Sequence, residues 1–415
     1  MIPPWLSTLG NGTRLLVVHN PIVPIMAIHV GFGRGSAIFP RDKAGLGSLL
    51  AAVLTKGTAA HTSQEIATLI ADWGARLSID INPDSTEITA KCAEEDFVPL
   101  LELLAAVVQS PTFPEAEVER EQILLLQAIQ SRQEQVVASL YERVCAHLYG
   151  EHPYAQPPLG SVETISALTR EDLVWGYHQL FHPQQMVITV VGSLTPTQIQ
   201  AELERTFGGW DPEPVAVAPF PAIAPVPPAC LTVPQASQQT TVMLAYLGCS
   251  VLSPDFLPLS LLMHYLGNGL SSRLFQELRE KRGLAYEVSA FLGMRRDRAP
   301  FVVYAGTTTP QEALTTLRAE MALLCQEPLT EPTWVSVQKK VLGQYLLGQQ
   351  TTMQIAQRLG WYELIGLGYQ FAEDYPRRLR EITPQMAWRV AQNYLHNPTI
   401  ALAGSPHTLA IVSME

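Results

Sequence analysis

The 415-residue chain has no apolar run near the roughly 20 residues that a helix needs to cross a bilayer, so no membrane span is expected. Cysteine is sparse. The five residues Cys92, Cys145, Cys230, Cys249 and Cys325 are odd in number, and no two stand in a CxxC spacing. That excludes a disulfide framework and a zinc ribbon, and leaves small buried hydrophobes in a reducing compartment. Base is short relative to acid: 27 Lys and Arg against 38 Asp and Glu give a net charge of −11. Such a surface repels phosphate, so no nucleic-acid partner is expected. The start, Met1-Ile2-Pro3-Pro4-Trp5, lacks a basic segment followed by an apolar run, and it is not an Arg-rich transit peptide. A cytoplasmic protein is the expectation. Also missing are a GxSxG nucleophile elbow, a phosphate-binding loop, a dinucleotide fingerprint, and any HExxH or HxxEH zinc pattern.

What is present describes a globular α+β chain. Hydrophobic residues make up 47% and charged residues 16%. Strand-like and helix-like stretches alternate, and the order is written twice. In the first half, LLVVHN and IMAIHVGFG read as strands and Ala44–Leu54 and Ile66–Trp73 as helices. Leu77–Cys92 reads as a hairpin turning at Asn82-Pro83-Asp84. Helices over Asp96–Gln109, Glu115–Gln135 and Arg170–Phe181 and a strand over Met186–Val191 complete it.

The second half repeats the plan. A strand over Thr241–Leu247 and helices over Leu257–Tyr265 and Ser271–Arg282 come first. Strands over Ala285–Gly293 and Phe301–Thr307 and a helix over Gln311–Gln326 follow. The phrase QSPTFPEAEVEREQIL at Gln109 pairs with QEPLTEPTWVSVQKKVL at Gln326. LTREDLVWGYHQLFHPQQMVITVVGS at Leu168 pairs with ITPQMAWRVAQNYLHNPTIALAGS at Ile382. A duplication explains both. Between the halves, Gly208–Pro234 holds eight prolines and reads as a stiff linker. The expected division is a domain at 1–207, a linker at 208–234 and a domain at 235–415.

Three phrases resemble the M16B peptidase family, relatives of mitochondrial processing peptidase and insulin-degrading enzyme. They are GLGSLLAAVLTKGT at Gly45, HPYAQPPLGSVETISALTREDLVWGYHQLFHPQQMVITVVG at His152 and GLSSRLFQELREKRGLAYEVSAF at Gly269. The resemblance runs from about Thr13 to the C-terminus. It implies two homologous domains, each a mostly antiparallel sheet with helices packed on it, and a chain that pairs with a second one.

The resemblance also says what has been lost. Catalytic chains of the family carry His-x-x-Glu-His where this chain has Ser48, Leu49, Leu50, Ala51, Ala52. Histidines at i and i+4 grip one zinc ion from one helical face, and the glutamate takes a proton from zinc-bound water. The distal glutamate of the family falls at Ala128, beside Gln127. With Ser48, Ala51, Ala52 and Ala128 at these positions, no zinc is expected in this chain. His178 and His182 have ligand-like i, i+4 spacing but no acidic or cysteine partner beside them.

The family's peptidases also use an Arg and a Tyr, six residues between them, to hold the substrate carbonyl and the developing oxyanion. Arg279 and Tyr286 fit that spacing, with Gly283 allowing the turn. The plainer alternative makes Arg279 one of a run of surface charges with Glu277, Glu280, Lys281 and Arg282, and makes Tyr286 sheet filling. Ser271 or Ser272 is expected to cap the helix. Gly267-Asn268-Gly269 resembles the family's glycine-bearing loop, though a plain turn fits its length. Val30-Gly31-Phe32-Gly33 lies near the region where catalytic relatives dock substrate as an added strand. Two readings follow. One is a partner subunit that supplies Arg279 and Tyr286 to an HxxEH-bearing homologue holding zinc and peptide. The other is a non-catalytic scaffold or peptide-binding protein, like the family's core subunits of a respiratory complex.

Overall fold

A computed structural model describes residues 3–216 and 218–412. Two sheets organise the chain, which is α+β. The first contains β1 (Trp5–Thr8), β2 (Arg14–His19), β3 (Ile25–Phe32), β4 (Arg76–Ile81), β5 (Thr86–Ala93) and β6 (Met186–Gly192), in the order β1-β2-β6-β3-β5-β4. The second contains β7 (Cys230–Pro234), β8 (Thr240–Leu247), β9 (Ala285–Leu292), β10 (Pro300–Thr307) and β11 (Thr399–Gly404), in the order β7-β11-β8-β10-β9.

The duplication is exact at the level of pairing. In each sheet one parallel pair, β2 with β6 and β7 with β11, is followed by three antiparallel pairs in the same chain order. Only β1 has no counterpart. The expected hairpin forms as β4 and β5, with Asn82-Pro83-Asp84 inside its turn.

Each sheet buries one face in its own core. Met26, Ile28, Val30 and Phe32 of β3, Ile188 and Val190 of β6 and the helix Phe97–Gln109 build the first. Val242 and Leu244 of β8, Phe301 and Val303 of β10 and Trp334 build the second. Side-chain alternation on a strand sets which residues face in.

Two compact units result. The first comprises Met1–Gln130, Gln156–Phe220 and Leu346–Asp374; the second comprises Ser131–Ala155, Pro221–Tyr345 and Tyr375–Glu415. Each unit thus takes a helical segment from the other half of the sequence. Thr352–Ile365 lies on β3 and β6, and Val136–Tyr149 lies on β11 and β8. Each covers the sheet face turned away from that sheet's own long helices. Of the proline-rich segment expected as linker, Cys230–Pro234 forms β7. Its Leu-Thr-Val run suits a strand, and Pro234 stands at its end, where a missing donor costs little.

Candidate functional site

The helix Leu46–Val53 carries three of the four positions, Ser48, Ala51 and Ala52, at which the resemblance implies a lost metal site. It starts at Gly45, whose φ of 88° and whose Cβ position, 2.5 Å from the Leu159 carbonyl oxygen, admit only glycine. Leu46, Leu49, Leu50 and Val53 are buried in the first core, while Ser48, Ala51 and Ala52 share the half-buried side. The Ser48 hydroxyl donates to the Pro158 carbonyl at 2.8 Å. Ala128 is exposed on the helix Glu115–Glu134, beside exposed Gln127. Lys56, just after the first helix, pairs with Glu121 of that second helix at 2.9 Å.

Three methyl side chains and one hydroxyl committed to a carbonyl do not fit a zinc ion, which wants imidazole, thiolate or carboxylate. Among the described residues, no group of three or more His, Cys, Asp or Glu is placed to hold a metal. The His178–His182 pair does not form a chelating face. The helix ends at Leu180, and the buried His182 ring turns its Nε2 onto the His178 carbonyl at 2.7 Å. Burial lowers the His182 pKa from its ordinary value.

Arg279 and Tyr286 are brought together. The Arg279 guanidinium carbon lies 5.1 Å from the Tyr286 ring centre and 4.9 Å from that of Phe275. Its Nη1 donates to the Tyr286 carbonyl at 3.0 Å. Both residues are exposed, Tyr286 at 73%. The guanidinium is therefore pre-organised on two rings and keeps donors for a ligand. Gly283, at φ +61°, makes the turn between them, and a bulge between Gly306 and Thr307 loosens the β9 register beside Tyr286.

The segment that carries Arg279 differs from the expected α-helix: Phe275–Lys281 winds as a π-helix. Such windings are rare and gather at functional sites. No serine side chain caps it. Its packing explains its persistence. Glu277, which sequence groups with surface charges, is buried, only 6% exposed, and so is Glu320 of the helix Pro310–Gln326, 7% exposed. Arg273 bridges them, with Nε and Nη2 on Glu320 at 2.7 and 3.0 Å and Nη1 on Glu277 at 2.9 Å. Lys281 closes the network on Glu277 at 2.6 Å. Lys281's hydrogen bond is the main reason the Glu277 carboxyl titrates below its usual value. The Glu320 hydrogen bonds raise the Arg273 pKa. Sequence gave no sign of this network, because Arg273 and Glu320 are distant in the chain.

Two weaker expectations are also placed. Gly267-Asn268-Gly269 is a short turn held by the helix Glu331–Leu347: Asn268 donates to Gln344 at 3.1 Å, and Lys340 donates to the Asn268 carbonyl. A Cβ at Gly267 would meet the Ala290 amide, so glycine there lets the helix Phe256–Gly267 touch β9. Val30, Gly31 and Phe32 lie in β3, which is paired on both sides by β5 and β6, so no peptide can add as a strand there. The outer strands of that sheet are β1 and β4.

Residues 14–161 match the model of "Insulinase (Peptidase family M16)", and residues 167–340 match "Peptidase M16 inactive domain". The chain belongs to the M16 peptidase family. An uncharacterized zinc protease of Mycobacterium leprae is 28% identical over 399 residues, covering 94% of this M16 chain and 89% of the relative. One of Bacillus subtilis is 26% identical over 361 residues, covering 86% and 87%. In structure, a peptidase M16 inactive domain from Pseudomonas fluorescens superposes with a TM-score of 0.90 at 24% identity, over 97% of this chain and 98% of the other. A protease from Helicobacter pylori gives 0.89 at 21% identity, over 98% and 100%. These two likenesses concern the fold. Among the described residues, no helix is long and apolar enough to cross a membrane.

Proposed function

We propose that this M16 chain is the zinc-free subunit of a two-chain peptidase. A partner homologue bearing HxxEH supplies zinc and the general base. This chain supplies Arg279 and Tyr286 to the bound peptide, and together the two hydrolyse it internally. The observation that carries the reading is the contrast within one chain. The three expected ligand positions are Ser48, Ala52 and Ala128 and the expected base position is Ala51, while Arg279 is stacked on Tyr286 and shares its helical segment with the buried Glu277 of a charge network. Relatives of similar length are named zinc proteases, which supports zinc chemistry in the assembly and a loss of ligands here.

The chemical role is donor work. A guanidinium N–H or a phenol O–H aimed at the oxygen of a tetrahedral intermediate contributes most when it is held before reaction, about 3–4 kcal/mol for one donor. The stack on Phe275 and Tyr286 provides that holding. A heterodimer in the reducing cytoplasm belongs to the same reading, and the five free cysteines suit it. The test is cleavage of a quenched fluorescent peptide by this chain, by an HxxEH-bearing homologue, and by both. Activity confined to the mixture supports the split site. Full activity of the homologue alone, unchanged on mixing, would leave this chain a scaffold.

A further inference from the structure

Within the second unit, the first turn of the helix Val136–Tyr149 and strands β8, β9 and β10 enclose a cleft of about 470 Å³. Its walls include Val136, Tyr141, Gln239, Glu287, Phe291 and Gly306. Glu287 is the one lining residue with a charge at neutral pH. Its Oε1 accepts a hydrogen bond from the Tyr304 hydroxyl at 2.9 Å, and among the described residues no cation pairs with it.

Two aromatic rings, Tyr141 and Phe291, line the same cleft as that carboxylate. Phe291 meets Tyr141 edge-on at 5.1 Å and Tyr304 at 6.4 Å. A carboxylate and aromatic rings lining one cleft is the chemistry that selects an alkylammonium or a guanidinium, by charge and by the ring quadrupole. The helix start that also lines the cleft has different chemistry. The helix begins at Gln135 with no side-chain cap, and the first N–H groups of a helix have no intrahelical partner, which suits an acceptor such as a peptide carbonyl.

We propose that this cleft binds an organic cation, a guanidinium or ammonium on a slender stem, with Glu287 as its counter-ion. Two sources share that chemistry: a basic side chain of a peptide, and a free amine such as agmatine. The uncapped helix start favours the peptide, because it offers a place for a backbone carbonyl as well. The site goes beyond the split-peptidase reading and uses neither Arg279 nor Tyr286, so it is tested on this chain alone.

The experiment is calorimetric titration of the full chain with a blocked pentapeptide, one arginine among alanines. Its citrulline counterpart keeps the shape and loses the charge. Two variants locate the site. Glu287→Gln removes the counter-ion at an exposed position. Gly306→Val fills the cleft from the strand, where a Cβ has its nearest neighbours at 3.6 and 3.7 Å and meets no clash. The arginine peptide binds saturably and the citrulline peptide about tenfold or more weaker, the weight of one charge-assisted bond. Each variant weakens the arginine peptide by a similar factor. Agmatine binding as tightly as the peptide assigns the free amine as ligand; weaker binding assigns the peptide. Equal binding of the two peptides, unchanged affinity in either folded variant, or no saturable heat would overturn the proposal.

Discussion

Replacing Arg273 by Met should destabilise the second unit by about 2–3 kcal/mol. The number comes from the two carboxylates it serves. Glu320 and Glu277 side chains are each only 8% exposed, and Arg273 supplies three charge-assisted bonds between 2.7 and 3.0 Å. Removing one partner of a buried ion pair costs about 3–5 kcal/mol, mostly from the charge left behind. The Arg273 side chain is 33% exposed and Lys281 still serves Glu277, so the expected loss falls to the bottom of that range or just below it. Met keeps the stem's packing, which isolates the charge. The double variant Arg273→Met, Glu320→Leu leaves no buried charge on that helix and should recover at least half of the loss. Two compact units make a single two-state transition a poor assumption. Hydrogen exchange over 273–282 and 310–326, read beside urea unfolding, localises the effect. A single variant within about 0.5 kcal/mol of wild type, as for an ordinary surface residue, would refute the argument.

Two helical glycines should respond with opposite signs. A Cβ at Gly360 would lie 2.3 Å from His29 Nδ1 and 2.8 Å from Thr189 Oγ1, so Gly360→Ala should cost about 1–3 kcal/mol by overpacking. Gly343 has nothing within 4 Å of that position, so Gly343→Ala should stabilise by about 1 kcal/mol; thermal melts check both. Thiol labelling at neutral pH should reach exposed Cys230 first. Burial pushes Cys92 up to about 12 and Cys145 and Cys249 up to about 11, so mass spectrometry should find these last. Because the folded Glu277 pKa lies below 4.5, its stabilisation is present above that pH and is lost as acid carries the pH down through the folded value. The stability gap between wild type and Lys281→Met should therefore narrow below pH 4.5 and hold steady above it, as measured by urea midpoints.

Much of this molecule is legible in the sequence, for physical reasons that can be named. Asn82-Pro83-Asp84 between alternating runs marks the β4–β5 hairpin, because turn chemistry is local. The phrase repeats carry the duplication through to identical strand order. Ala51, Ala52 and Ala128 have no side-chain donor atom by composition alone, whereas the bond from the Ser48 hydroxyl to the Pro158 carbonyl needed the fold. The spacing of Arg279 and Tyr286 singles the two out only through the family resemblance; that Arg279 stacks on the Tyr286 ring is shown by the fold. The rest was hidden where the decision is tertiary. Hydrophobic period cannot separate an α-helix from the π-helix Phe275–Lys281, because i→i+5 winding depends on what holds its flanks. Glu277 looks like its charged neighbours until Arg273 and Lys281 pair with it in the fold. Trp5–Thr8 is too short to announce a strand, and prolines around Cys230–Pro234 masked another. The placement of Val136–Tyr149 and Thr352–Ile365 on sheets from the opposite half is set by packing alone.

The claim that this chain contributes to a partner's chemistry turns on Arg279. The direct measurement is kcat and KM of the reconstituted mixture with wild-type chain, with Arg279→Ala and with Tyr286→Phe, after confirming that each variant still associates with the HxxEH-bearing homologue. Loss of an oxyanion donor predicts that kcat falls by about a hundredfold or more for Arg279→Ala, with KM changed far less. A kcat unchanged by Arg279→Ala in an intact complex would contradict the account and leave Arg279 a surface charge.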